Sequence, residues 1–144
     1  MKKKIILMAA GLLLAACATL EQSNVVWIPI GPEFAPKKPK DVELIRGRQD
    51  VTRPYGNIGQ LRIKNVKPDP DSLLLGVEKA RKIVASKGGD AMQINQYNSA
   101  EDDSADPRIT LIVYAIKYVD NLTPEDEEAI KKFEALGMLN GAIE

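Results

Sequence analysis

The sequence predicts an α+β domain in which one helix packs against a mostly antiparallel four-stranded sheet in β-β-α-β-β order, with a further helix at the C-terminus. Three observations support this prediction. Residues 41–66 and 91–119 alternate apolar and polar side chains, as strands do. Residues 71–87 carry an apolar stripe at helical spacing. Thr123 and Pro124, followed by acidic residues, are typical of the start of a helix.

The chain begins like a bacterial secretory signal. Residues 2–4 are lysines, and residues 5–14 form an apolar run that is too short to span a bilayer. Leu14-Ala15-Ala16-Cys17 closes this run and resembles the lipobox of bacterial lipoproteins. The resemblance implies cleavage between Ala16 and Cys17, followed by diacylation of Cys17 and acylation of the new amino terminus. The alternatives are a plain signal peptide with an incidental cysteine and a buried apolar helix.

The same resemblance predicts a location. Ala18, rather than aspartate, follows Cys17, which in the Gram-negative pattern implies the inner leaflet of the outer membrane. Given a Gram-negative host, the domain then faces the periplasm, held by a lipid anchor. Two or more acyl chains anchor a protein stably, whereas one chain does not.

We divide the chain into four segments. Residues 1–16 are the lipoprotein signal peptide, 17–40 the lipidated cysteine and a Pro-rich tether, 41–120 the α+β domain and 121–144 the C-terminal helix. Removal of the signal peptide leaves enough residues for one domain but not for two.

Composition excludes several classes of function. The chain has no histidine, so it has no Ser-His-Asp or Cys-His arrangement and no histidine metal pair. Without the three signal-peptide lysines, acidic residues outnumber basic ones by three, which gives no electrostatic case for nucleic acid. Cys17 is the single cysteine, so no disulfide stabilises the domain. We therefore predict a protein that is not an enzyme and has no cofactor and no metal site.

The tether contains four prolines between Ala18 and Lys40. Fully extended, these residues reach at most about 75–80 Å and would hold the domain away from the membrane. Residues 25–30 are apolar, which predicts a strap on the domain surface. The alternative is a segment that enters a partner or the lipid interface, where Trp27 would fit. Near the end of the tether are three lysines that either are solvated or contact anionic headgroups: Lys37, Lys38 and Lys40.

The predicted strands and helices follow in order. Residues 42–46 and 55–66 are the first two strands, and Gly59 in the second indicates a bulge or turn. Asp69 or Asp71 caps the helix over 71–87, a role that suits them better than acid–base catalysis.

Two more strands and the last helix complete the domain. Residues 91–97 and 109–119 are the third and fourth strands. Between them lies an acidic loop, which lacks the residue order of a calcium site and is predicted to be a solvated hairpin loop. Thr123 caps the final helix, and Gly137 is predicted to stop it.

Residues 42–118 resemble a family of small bacterial envelope domains. The residues that carry the resemblance are Arg-Pro-Tyr-Gly-Asn-Ile-Gly at 53–59 and the helix end with its glycine turn at 80–91. They are similar to YbjQ-type domains and to the Rcs stress-sensor lipoprotein (RcsF-like) fold. RcsF-like proteins carry disulfides in this domain, whereas this chain has none. The YbjQ-type resemblance implies metal-binding rings, yet this chain offers no histidine or thiol cluster.

The fourth strand presents the main question about function, because both of its faces are apolar. A single helix covers one face, so the other needs a second cover. Either the last helix folds back over it through Ile130, Phe133 and Leu136, or it meets a protein partner or a second copy of the chain. The candidate interface residues are Ile112, Tyr114, Ile116, Arg62 and Lys64.

Three arginines lie around the connection between the first two strands and are candidate contacts for an anionic ligand: Arg46, Arg48 and Arg53. The alternative is that they are ordinary solvated loop charges. Together these observations predict a non-catalytic, lipid-anchored envelope protein that acts as a protein-interaction or sensor/assembly module. The alternative is an oligomeric lipoprotein of the YbjQ type that binds a small ligand or a cation.

Overall fold

The structure, a computed structural model, describes residues 24–46, 51–98 and 106–141. The signal peptide, Cys17, Arg48 and most of the acidic loop lie outside these ranges. No helix within them is long and apolar enough to cross a bilayer.

In the described residues, five strands form one sheet, and two α-helices accompany it. The strands are β1 (Val25–Pro29), β2 (Glu43–Ile45), β3 (Tyr55–Val66), β4 (Ala91–Asn98) and β5 (Ile109–Tyr118), and the helices are α1 (Pro70–Ser86) and α2 (Pro124–Gly141). The sheet order is β1-β3-β5-β4-β2. β2 runs parallel to β4, and the other three neighbouring pairs are antiparallel.

The α+β class is confirmed, but the predicted mostly antiparallel sheet of four strands has a fifth strand and one parallel pair. The apolar segment at 25–29 adds a fifth strand, because it pairs with the free edge of β3 from Val25 opposite Ile63 to Pro29 opposite Gly59. The first predicted strand is parallel to its neighbour. The Glu43 backbone N–H donates to the Asp90 carbonyl over 3.0 Å, so β2 starts beside the start of β4 and runs in the same direction.

Residues 24–40, which we expected to belong to the tether, are part of the folded domain. Phe34 is buried in the core, and its backbone N–H donates to the Lys87 carbonyl over 3.2 Å. The Lys37 backbone N–H donates to the Ala85 carbonyl over 2.8 Å. These contacts place the Pro-rich segment along the end of α1, so it is not a free linker, and the strap expected at residues 25–30 is the edge strand β1.

The main core lies between α1 and one face of the sheet. Leu61, Val84 and Val113 are fully buried there, as the alternation and the helical stripe predict. The predicted helix cap is confirmed, since the Asp69 carboxylate accepts from the Ser72 backbone N–H over 2.9 Å. Gly88 follows α1 with a φ of 78°, a left-handed conformation that glycine adopts without strain.

α2 begins where the sequence predicts but does not end at Gly137. The Asp126 backbone N–H donates to the Thr123 hydroxyl over 3.2 Å, and the Thr123 backbone N–H donates to the Asp126 carboxylate over 3.0 Å. The helix then continues through Gly137 to Gly141. A glycine inside a helix costs only about 1 kcal/mol relative to alanine, so it does not by itself end the helix.

Candidate functional site

The face of the sheet opposite α1 is not covered by α2. Ala129 and Ile130 of α2 pack against the main core, on the side of the sheet that α1 covers. Phe133 and Leu136 remain 39% and 62% exposed. Of the two alternatives left open by the sequence, the structure therefore does not show the one in which the last helix folds back over the apolar stripe of β5.

At one end, around Ile116, this side of the sheet is covered by a small apolar cluster. Ile116, with 0% exposure, packs with Ile45, Ala91 and Tyr118, and Val51 from the connection before β3 lies against them. Ile116, which we predicted as an interface residue, is thus buried. A partner cannot reach it without unfolding this small cluster.

Arg53 helps to hold that closed end. Its guanidinium lies 4.0 Å from the centroid of the Tyr118 ring, and its Nε donates to the Asp120 carboxylate over 2.9 Å. The hydrogen bond to Asp120 is the largest effect that raises the pKa of Arg53. Of the three arginines predicted to contact an anion, Arg53 is thus engaged within the chain, Arg46 is exposed, and Arg48 lies outside the described residues.

The remaining part of this side, which we call the open face, consists of two rows of side chains that cross four strands. In the first row Val26 lies opposite Arg62, Arg62 opposite Ile112, and Ile112 opposite Asn95. In the second row, the residues in order across the sheet are Ile28, Gln60, Tyr114 and Gln93. Thr110 and Lys64 extend the open face beyond the rows.

The open face is partly apolar and carries positive charge. Ile28, Ile112 and Tyr114 are half-buried, while Val26 and Arg62 are exposed. None of the ten side chains assigned to it is a carboxylate. Tyrosine and arginine are enriched at protein–protein interfaces, and the buried centre of an interface is more apolar than the rest of the surface.

The structure also shows a buried group of charges that the sequence analysis missed. Asp90 accepts hydrogen bonds from the Lys37 ammonium and, over 2.8 Å, from the Tyr118 backbone N–H. Lys117 Nζ lies 3.7 Å from Asp90 and 3.6 Å from Asp126. Asp90, Lys117 and Asp126 are all buried. This ionic cluster joins the Pro-rich segment, the start of β4, the end of β5 and the first turn of α2.

A signal for this cluster is present in the sequence of β5. Ile109, Leu111, Val113 and Ala115 all face the core, and the next residue of the same parity is Lys117. A lysine at an inward position needs a buried partner. The Lys117 amine also lies 4.8 Å from the centroid of the Phe34 ring, a cation–π distance.

The surroundings of the ionic cluster shift the pKa values of Lys37 and Asp126. Burial, followed by the nearby Lys117 charge, lowers the pKa of Lys37. Burial alone would raise the pKa of Asp126, but the Thr123 backbone N–H and the Lys117 ammonium outweigh it, so the pKa of Asp126 lies below its usual value.

Because the pKa of Asp126 is lower in the folded state, its carboxylate stabilises the fold above its unfolded pKa, about 3.9. That contribution disappears as the pH falls through the lower, folded value. We expect the free energy of unfolding to decrease below about pH 4, and Asp126→Asn to make the decrease shallower. Urea titrations at several pH values, followed by Trp27 fluorescence, measure this. If the free energy of unfolding fell equally steeply with decreasing pH in both proteins, the expectation would be contradicted.

The surroundings of the ionic cluster also bear on whether the chain holds a metal ion or a small ligand. Among the described residues, no group of three or more histidine, cysteine, aspartate or glutamate residues could hold a metal ion. A cavity of about 170 Å³ lies beside Lys117, between Phe34, Ile58 and Ile130. Pockets for drug-sized ligands have volumes of about 300–1,000 Å³, so this one is small for such a ligand.

No protein-family model matches the chain, and no curated protein matches it with a significant score. Among solved structures, the chain is similar to the crystal structure of a Francisella virulence factor, FvfA, in its orthorhombic form. The two sequences are 20% identical, and the TM-score is 0.48. The match covers 63% of this chain and 94% of the other.

Proposed function

We propose that the protein is a non-catalytic lipoprotein of the bacterial envelope whose domain binds another protein through the open face of the sheet. The observation that carries this proposal is that neither helix covers the open face, although it contains Ile112, Tyr114 and Val26. An uncovered apolar surface with a polar rim is typical of an interaction site.

The lipid anchor is supported by the sequence. Leu14-Ala15-Ala16-Cys17 follows a basic start and a short apolar run, which is the order of a lipoprotein signal. In a Gram-negative host we place the anchored protein at the inner leaflet of the outer membrane. The open face then recognises its partner from the periplasmic side.

The charge of the open face favours a different protein over a second copy. A symmetric dimer uses the same patch on both subunits, so the patch that carries Arg62 and Lys64 would face a second patch of the same positive charge. No carboxylate of the open face compensates this repulsion. We therefore infer a partner that presents acidic side chains around an apolar centre.

Photo-cross-linking in the envelope tests the proposal. A photoreactive phenylalanine analogue replaces Tyr114 in the full chain, and the matched control carries it at Glu78, an exposed position of α1. We expect one adduct at position 114, none at 78, and loss of the adduct when Arg62→Glu is added.

Equal adducts at both positions, or none at either, would contradict the proposal. An adduct with the mass of two copies of the chain would show self-association and favour the oligomeric alternative. Light scattering of residues 18–144 is a second check, for which we expect a monomer at all concentrations.

A further inference from the structure

A second surface, separate from the two rows of the open face, lies at the end of the sheet where β1 begins and β3 ends. The register between β3 and β5 shifts between Ile63 and Val66, and Asn65 adopts a φ of 62°. This irregularity forms a cleft between the end of β3 and the first turns of α1. We call this surface the basic cleft.

The basic cleft is strongly cationic. Lys64, Lys67, Lys79 and Arg108 line it, and none of its described lining residues is a carboxylate. Arg108 is paired with Asp106 over 2.8 Å. In the described part of the chain, no carboxylate oxygen lies within 4.0 Å of the three lysine amines. Unpaired lysines grouped in this way attract an anionic surface.

Two exposed leucines accompany these cations. Leu75 lines the basic cleft and is 72% exposed, and Leu74 beside it is 61% exposed. The core side of α1 is provided by other residues, such as Ala80 and Val84. Apolar side chains next to lysines are the combination that binds the interface of an anionic membrane.

The path of the chain brings this surface to the membrane. Asn24 lines the basic cleft, and its carbonyl accepts from the Lys64 backbone N–H over 2.8 Å. Since residues 24–40 belong to the domain, only the chain from Cys17 to Asn24 can act as a tether. Fully extended, it reaches at most about 25 Å, instead of the 75–80 Å expected for a tether that ends at Lys40.

We propose that the basic cleft docks on the anionic headgroups of the membrane that holds Cys17, an inference that rests on the lipid anchor of the proposed function. The lysines contact lipid phosphates, and Leu74 and Leu75 enter the headgroup layer. The short tether raises the effective concentration of this surface at the membrane, so weak individual contacts are sufficient.

Acylated protein in vesicles tests this proposal. The vesicles contain phosphatidylcholine with or without phosphatidylglycerol, and flotation first reports whether the protein is anchored. The second readout is the emission of an environment-sensitive dye, attached to the thiol that Leu74→Cys introduces. Because Cys17 is acylated, this thiol is the one that reacts with the dye. We expect a blue shift with phosphatidylglycerol and no shift with phosphatidylcholine alone.

Charge reversal identifies the contacts. Lys67→Glu with Lys79→Glu removes two cations of the basic cleft and leaves Lys64, which the open face shares. The matched control, Lys131→Glu with Lys132→Glu, makes the same change in net charge at exposed positions of α2. Each lysine near an anionic membrane contributes about fivefold to binding, so the ratio of docked to undocked protein should fall at least about 25-fold in the first variant only.

The outcomes separate the two proposals. Protein that does not float overturns the anchor, and the docking with it. Protein that floats while its dye stays in water on both vesicles overturns the docking alone. An equal blue shift on neutral vesicles, or an equal loss in both double variants, also overturns it, because the charge of the basic cleft would then play no part.

Discussion

Replacement of Asp90 by alanine is expected to lower the free energy of unfolding by about 3–5 kcal/mol, because it leaves the buried ammonium of Lys117 without one of its two carboxylates. The Tyr118 backbone N–H also loses its acceptor. Lys37 loses its partner too, so the Pro-rich segment is no longer held to the start of β4.

Urea denaturation of residues 18–144 and of the variant measures the loss. Asp106→Ala is the matched control, since it breaks an exposed pair with Arg108 and should change the free energy of unfolding by less than about 1 kcal/mol. Asp90→Asn keeps an acceptor for the Tyr118 N–H and so separates the hydrogen bond from the charge. A loss at Asp90→Ala no larger than that of the control would show that the ionic cluster does not stabilise the fold.

Periodicity predicted the elements that are regular over many residues. The strands at 55–66 and 109–118 and the helix α1 were predicted because their apolar residues repeat every second residue, or every third and fourth. β1 was not predicted as a strand, since its five residues are apolar on both faces and end at a proline. Its pairing with the edge of β3 depends on a contact between residues far apart in sequence.

The candidate surface was predicted only in part, for a related reason. Alternation correctly placed Ile112, Tyr114 and Ile116 on one side of β5. Whether each is exposed depends on where the connection before β3 and the helix α2 lie, which local pattern does not encode. Val51 covers Ile116, and the first turn of α2 turns toward Lys117 on the opposite side. The buried partners of Lys117 also come from other elements, Asp90 from the start of β4 and Asp126 from α2.

The register between β3 and β5 shifts between Asn57 and Gly59, as the glycine in the sequence indicates. The structure also gives Gly59 a packing role, which one substitution tests. The ring of Trp27 lies directly over Gly59, so a Cβ at this position would meet Trp27 Cζ2 and Cη2 and would lie 2.9 Å from Cε2. Gly59→Ala must displace the indole, and overpacking of this kind costs about 1–3 kcal/mol. We expect β1 to loosen at this point and the emission of Trp27, the single tryptophan, to shift to longer wavelength.

Gly56→Ala provides the control, because it is the same change in the same strand and a Cβ there meets nothing within 4 Å. It should leave both stability and emission nearly unchanged. In the double variant Trp27→Ala/Gly59→Ala the clash is absent, so its free energy of unfolding should equal that of Trp27→Ala alone. If Gly59→Ala were as stable as Gly56→Ala, β1 would not be packed on β3 through this contact.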